Sequence, residues 1–330
     1  MLRLIKQQLD RAAIKMAAQA LPCGKFDATR LERAAEILAT GDLWKLPAPT
    51  PLIAAVADGQ FHFASAVTTP SAKNNVVHGQ ILRVNGAWQT KPLVILVHGW
   101  NAELHYLYVL PRVARTLVRR GFNAALLELP YHLQRRPARD SAVRDFISDD
   151  LHSMLMATRQ SLADIDALVR WARAQGCHAV AVWGFSLGAW LAGLYLCRSS
   201  LASHAVLTTP IIDLAQAVRE LSFCHPIRAA IGERSIDLSP LNLTAHRPKI
   251  PAESICACQC EYDQFVPGES YDQLFASWGN LARLRLPQSH ISVLLSRSAT
   301  NATIDWLARQ TGRVTAASTP ELRAAPAAQA

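Results

Sequence analysis

The run Val182-Trp183-Gly184-Phe185-Ser186-Leu187-Gly188 sets a hydroxyl between two glycines. It lies where a strand pattern, Cys177 to Trp183, meets an alanine- and leucine-rich helix pattern. A chain that turns this sharply from strand to helix needs small flanking residues, and the apical residue is held strained with its side chain pushed into the open. The Ser186 hydroxyl is therefore expected at the carboxyl end of a central strand, beside a helix amino terminus. A serine hydroxyl becomes a useful nucleophile only when a base within hydrogen-bond reach takes its proton and a third group orients that base. The chemistry open to such a set is acyl transfer.

The order to look for is serine, acid, histidine. Downstream of Ser186 stand His204, His225, His246 and His290. His290 follows the last short strand pattern, in Leu286-Pro287-Gln288-Ser289-His290, and is expected in a loop at the correct sheet edge. The other three fall at a strand start or within an insertion. Asp263, in Glu261-Tyr262-Asp263-Gln264-Phe265-Val266-Pro267, follows the strand ending at Cys260 and is the expected acid. It would hold the imidazole in the required tautomer and stabilise the imidazolium. Its alternative role is a turn residue bonding its own backbone. Glu261 and Asp213 are rivals, Asp213 if the site is built one strand over.

An attacked carbonyl also needs amide donors where its oxygen becomes negative. The Leu187 N–H, at the helix start, is one. The second is expected from Trp100, in the loop His98-Gly99-Trp100-Asn101, where Gly99 allows close backbone approach. His98 is expected to tie this loop. Past another strand end, Leu129-Pro130-Tyr131-His132-Leu133-Gln134-Arg135-Arg136-Pro137 offers Tyr131 and His132 as pocket walls and Arg135 and Arg136 as partners for an anionic substrate group. The competing reading of that segment is a hydrogen-bonded loop with salt bridges.

The elements that must position these residues alternate along the chain. Residues 1 to about 45 read as helical, and Pro47, Pro49 and Pro51 end that pattern. Phe61–Val67 and Val76–Val84 read as strands. Leu93–Val97 is continuously apolar, as a strand covered on both faces should be. A helix is expected from Tyr106 to Arg120, a strand from Phe122 to Leu129, and a long helix from Phe146 to Ala174. Beyond Ser186 come strands at His204–Thr208, Ile255–Cys260 and Leu281–Leu286, a helix at Glu269–Trp278 and a closing helix holding Thr303–Gln310. Ile211 to Pro251 is too long for an ordinary connection and reads as a partly helical insertion. This alternation predicts a three-layer α/β sandwich with its chemistry beyond the carboxyl ends of the strands.

These residues together resemble the α/β-hydrolase superfamily: His98-Gly99-Trp100, Gly184-Phe185-Ser186-Leu187-Gly188, Asp263 with Val266-Pro267, and His290, in the family's order. The resemblance spans roughly residues 76 to 312. It implies the α/β-hydrolase fold with a mostly parallel eight-stranded sheet, a Ser–His–Asp triad, an acyl-enzyme intermediate and a lid in the 211–251 region. The Leu129–Pro137 segment is similar to that of a less characterised, esterase-like branch. One departure is Cys260-Glu261-Tyr262, where many members place glycine before the late aspartate. The expected division is a helical extension over residues 1–50, a catalytic domain over 51–313 and a disordered tail over 314–330, rich in Ala, Pro, Ser and Thr. The expected reaction is hydrolysis of a small-molecule carboxylic ester, needing neither metal nor organic cofactor. A peptidase or amidase, a thioesterase, and a noncatalytic binding protein on the same fold are the alternatives.

Composition bounds the rest. The 330 residues, half of them hydrophobic, can bury a large core. The net charge of +9 is scattered rather than gathered into a stripe with stacking aromatics, which argues against nucleic-acid binding. No apolar run is long enough for an integral membrane segment. The opening Met1–Asp10 stretch lacks the pattern of a secretory signal and reads as an amphipathic helix expected to dock on the core rather than on a membrane. Seven cysteines do not suit a fully paired framework. Cys256, Cys258 and Cys260 alternate along one strand and read as buried thiols in a reducing, cytoplasmic setting. Oligomeric state is left open.

Overall fold

The structure, a computed structural model, describes residues 2–20, 27–47, 55–57, 59–101, 103–138, 146–232, 234 and 236–312. Two helices, α1 (Leu2–Ala20) and α2 (Ala28–Thr40), precede strands β1 (Ala55–Ala57), β2 (Gln60–Ala64) and β3 (Val76–Leu82). Then come β4 (Leu93–Val97), a π-helical turn (His105–Val109) running into α3 (Leu110–Arg119), β5 (Asn123–Leu127), α4 (Leu151–Ala174), β6 (Val180–Phe185), α5 (Leu187–Leu196) and β7 (His204–Thr208). Helices α6 (Leu214–Glu220) and α7 (His225–Ile231), with several single turns, fill the span before β8 (Ile255–Cys260). The described residues end with α8 (Gly268–Trp278), β9 (Ala282–Leu286), α9 (Ser292–Leu295) and α10 (Arg297–Gln310).

The strands form one sheet in the order β1-β2-β3-β5-β4-β6-β7-β8-β9. The eight expected strands are present, and the three-residue β1 adds a ninth at one edge. Pairing is antiparallel from β1 to β5 and parallel from β5 to β9.

Alternation across the sheet explains the apolar runs. Leu93, Ile95 and Val97 enter a core shared with α4 and α5, while Val94 and Leu96 enter one shared with α3 and α10. Both faces are buried, so every position of β4 must be apolar. Cys256, Cys258 and Cys260 join the second core, and the Cys258 thiol lies beside the Thr303 hydroxyl.

Helix boundaries follow local chemistry. Asp150 caps α4 by accepting from the Ser153 N–H, so that helix starts five residues later than its apolar pattern suggests. The expected helix from Tyr106 begins as the π-helical turn before settling into α3. Helix α1 docks along Asp10, Ile14 and Ala17 and leaves Leu2, Ile5, Leu9 and Met16 exposed. No helix among the described residues is long and apolar enough to cross a membrane. The expected tail from residue 314 lies outside the described residues.

The chain passes from β4 to β5 on one side and reaches β6 on the other, so loops diverge at the carboxyl ends of β4 and β6. Register aligns Val97 with Gly184, which brings the loop after β4 against the turn after β6. A crevice at such a divergence is where ligands bind in open α/β sheets.

Candidate active site

Ser186 sits at the turn between β6 and α5 with φ 53° and ψ −117°, a left-handed conformation that L-residues rarely adopt. Its N–H donates to the Thr208 carbonyl at 2.9 Å, which pins the turn to β7. The flanking glycines are required by space. A Cβ on Gly184 would lie 2.2 Å from the Gly188 carbonyl oxygen, and one on Gly188 would lie 2.3 Å from the carbonyl oxygens of Val97 and His98. The absent side chains let α5 begin against β4 and aim the Ser186 hydroxyl outward.

The His290 Nε2 lies 2.8 Å from the Ser186 Oγ. On its other side Nδ1 lies 2.9 Å from Asp263 Oδ2 and 3.2 Å from Oδ1. Asp263 is itself fixed, because Oδ1 accepts from the Phe265 and Val266 amides at 2.7 and 3.0 Å. The turn role anticipated as an alternative is thus performed by the same carboxylate. Burial alone would lower the His290 pKa, but the charge and hydrogen bond of Asp263, with the charge of Asp10, raise it above the ordinary value. The phenyl ring of Phe265 stacks on the imidazole at 4.3 Å between centroids.

None of the rival groups meets Ser186 or His290. Asp213 caps α6 by accepting from the Gln216 N–H at 2.7 Å. Glu261 is exposed. His204 contacts the Ser203 hydroxyl, His246 lies against Arg198 and the Pro240 carbonyl, and His225 is exposed at the start of α7.

Among the described residues, neither the Leu187 nor the Trp100 N–H meets a protein acceptor. Both residues line the same cavity as Ser186 and His290. Two neutral histidines brace the Trp100 loop. His98 donates from Nδ1 to the Gly99 carbonyl and accepts from the Leu129 N–H at Nε2, which ties the loops after β4 and β5. His132 donates from Nδ1 to the Pro130 carbonyl and accepts from the Asn101 N–H at 3.1 Å. Asn101, at φ 49°, is held in a left-handed turn directly after Trp100.

The cavity has a volume of about 360 Å³ and walls that are mostly apolar. Trp100, Phe223 and Phe265 form a row of rings across it, with centroids 5.4 and 6.2 Å apart. Phe223 comes from the segment between β7 and β8, so that segment roofs the site. Met154, Ile211 and Val218 add further apolar wall.

The placement of Tyr131, His132, Arg135 and Arg136 corrects the expectation that they line the pocket, because none of them borders the cavity. Arg135 is fully buried. It pairs with Asp164 at 2.9 Å and donates to the carbonyls of Asn74 and Glu128, so its guanidinium is held in the core, away from the cavity. Arg136 pairs with Glu103 at 2.7 Å, linking the loop after β5 to the start of the helical turn before α3. Tyr131 is buried and its N–H donates to the Asn74 side chain. The segment is a hydrogen-bonded support behind the site, the competing reading of its sequence.

Sequence reasoning missed Asp10, whose carboxylate reaches the His290 loop, and Phe223, the roof ring. Neither carries a local signal. Asp10 is the single acidic residue of α1, a helix otherwise charged by Arg3, Lys6, Arg11 and Lys15. Its partners lie 254 to 281 residues away.

A family model described as "Alpha/beta hydrolase domain containing 18" matches residues 54–231, more than half of the chain. Among solved structures, the chain is similar to the Pyrococcus furiosus esterase Pf2001, at 16% identity and TM-score 0.53 over 80% of this chain and 98% of that one. It is also similar to a cold-adapted esterase from an Arctic intertidal metagenomic library, at 17% identity and TM-score 0.51 over 78% and 97%. A third is Est1E from Butyrivibrio proteoclasticus, solved with ferulic acid, at 14% identity and TM-score 0.51 over 79% and 100%. At these identities the likeness establishes the fold. No curated protein gives a significant match.

Proposed function

The chain belongs to the alpha/beta hydrolase domain containing 18 family, and from that premise we propose that it is a serine esterase acting on esters with a bulky apolar part. The observation that carries the proposal is the 2.8 Å contact between the Ser186 hydroxyl and the His290 imidazole, opening into an apolar cavity.

His290 Nε2 takes the hydroxyl proton as Oγ attacks the ester carbonyl. Asp263 holds the Nδ1 proton and stabilises the imidazolium that forms. The Leu187 and Trp100 amides donate hydrogen bonds to the developing oxyanion. Collapse of the tetrahedral intermediate breaks the bond to the alcohol, which leaves with the proton from His290. His290 then deprotonates a water that attacks the acyl-enzyme, and the carboxylic acid departs with Ser186 reprotonated. The cavity supplies apolar surface for the acyl or alcohol group, and burial there favours binding by ~25 cal/mol per Å² of apolar area.

The test is fluorophosphonate labelling together with turnover of p-nitrophenyl esters of increasing acyl length. Wild type should label and turn over, with kcat/KM rising as the acyl chain lengthens, and S186A should do neither. Failure of wild type to label, or equal labelling of S186A, would remove Ser186 as the nucleophile.

A further inference from the structure

Asp10, in the middle of α1, is fully buried, and its three hydrogen-bond partners are all main-chain amides at the active site. Oδ2 accepts from the Gln264 N–H at 3.0 Å and from the His290 N–H at 3.0 Å. Oδ1 accepts from the Ile291 N–H at 3.0 Å. Gln264 adjoins Asp263 and Ile291 adjoins His290, so one carboxylate bridges the acid loop and the histidine loop.

Docking a helix does not call for this residue. An apolar side chain would bury at the same place without the cost of removing a carboxylate from water, and Ile14 and Ala17 on α1 already pack on the core. What the carboxylate adds is a two-loop clamp and a negative charge behind the imidazole.

We infer that Asp10 is a positioning residue of the active site: it fixes the loops bearing Asp263 and His290 to each other. This rests on the proposed Ser–His–Asp reading. The separation between Nδ1 and the Asp263 carboxylate depends on two loops that follow different strands, β8 and β9, and Asp10 is bonded to both. Helix α1 also walls the cavity with Ala13, Met16 and Ala17, so the amino-terminal extension is part of the site.

The groups facing the imidazole set the sign of the pH effect. Asp263 on the acid loop and Asp10 on α1 both stabilise the imidazolium, against burial, which opposes it. Lys6 on α1 donates to the Pro287 carbonyl three residues before His290. Cys260 on β8 and Tyr271 on α8 feel the Asp263 charge, and burial holds both neutral. The Ser186 hydroxyl is uncharged and Phe265 is apolar. Loss of the Asp10 charge therefore lowers the His290 pKa, and the base stays unprotonated to lower pH.

The experiment is D10N in the full chain, followed by steady-state turnover of a p-nitrophenyl ester across pH and by thermal melting. Asn keeps the shape but brings an N–H₂ toward amide donors. The kcat is expected to fall by about 10- to 100-fold, as for a small misplacement of reacting groups, with KM nearly unchanged. The acidic limb of kcat/KM should move to lower pH. I14A, which loosens α1 without touching the carboxylate, should lower the melting temperature and leave the limb in place. A D10N enzyme with wild-type kcat and an unmoved limb would overturn the inference, whatever its melting temperature.

Should D10N not fold, hydrogen exchange on wild type decides. Amides of Gln264, His290 and Ile291 that exchange only on global unfolding support the clamp; exchange at free-loop rates overturns it. Wild type inert to esters and to fluorophosphonate would be a failure of the esterase reading, separable from either result.

Discussion

Asp263→Asn is the sharpest test of the proposed relay. In the structure both carboxylate oxygens approach His290 Nδ1, at 2.9 and 3.2 Å. As Ser186 gives up its proton the ring becomes an imidazolium about 4 Å from the centre of the carboxylate charge, an attraction of about 4 kcal/mol at an effective dielectric of 20. Removing it lowers kcat by about 10³-fold, at 1.36 kcal/mol per decade. A second effect acts in the same direction. Oδ1 is held by the Phe265 and Val266 amides, so Asn turns its N–H₂ toward Nδ1 and drives the ring proton to Nε2, where it blocks proton transfer from Ser186. The same exchange in a serine protease costs about 10⁴-fold. The expected loss is therefore about 10³ to 10⁴ in kcat with KM held, read by p-nitrophenyl ester turnover. D213A is the matched control. It removes the α6 cap, costs about 1 kcal/mol of stability, and leaves kcat within a few fold. Retention of a tenth of the activity by D263N, or a collapse in D213A, would refute the assignment of the acid.

Two other perturbations probe the supports behind the site. R135A strips the guanidinium from Asp164 and should destabilise the protein by about 3–5 kcal/mol, because an uncompensated carboxylate is left in the core. Burial already raises the Asp164 pKa against the pull of Arg135, and the variant raises it further. A carboxyl whose pKa is higher folded than unfolded keeps its proton in the folded state, so the deficit should widen from pH 5 to pH 8 in urea melts; a pH-independent deficit would contradict this. H132A frees the Asn101 N–H and loosens the turn after Trp100. Its kcat should fall by about tenfold or more, below the 10²- to 10³-fold cost of deleting an oxyanion donor. A fall in melting temperature with unchanged kcat would limit His132 to holding the fold.

The sheet was legible because burial on both faces dictates composition: β4, β7 and β8 fall where the apolar runs place them. The turn at Ser186 was legible because only glycine fits at 184 and 188. The Tyr131–Pro137 segment misled as a pocket wall because its residue types suit either role. What decides is Asp164, 29 residues further on, which sequesters Arg135 in the core. The apolar pattern of α4 continues upstream of the Asp150 cap, so the pattern alone overshoots the start of the helix. Asp10 was invisible for a different reason. A carboxylate that accepts backbone N–H groups imposes no requirement on the side chains it meets, so its partners leave no mark in the sequence.

The buried histidines near the site divide by the charges they face. His98, His105, His132 and His290 are all withdrawn from solvent. Burial pushes the His98 pKa well below its ordinary value and lowers those of His105 and His132 to about 3 and about 4. These rings are neutral at physiological pH. Neutrality is what lets His98 and His132 accept the Leu129 and Asn101 N–H groups, since an imidazolium has no lone pair to offer. His290 is as deeply buried, yet its pKa is raised, because it faces Asp263 directly and Asp10 behind it. A ring that must alternate between accepting and releasing a proton needs a stabilised cation, whereas a ring that braces a loop needs the cation suppressed. The fold meets both demands with one residue type by giving carboxylates to only one of these rings. The proposed assignment of His290 as base therefore depends on where the acids are, and a His290 titrating alongside His132 in a histidine NMR experiment would contradict it.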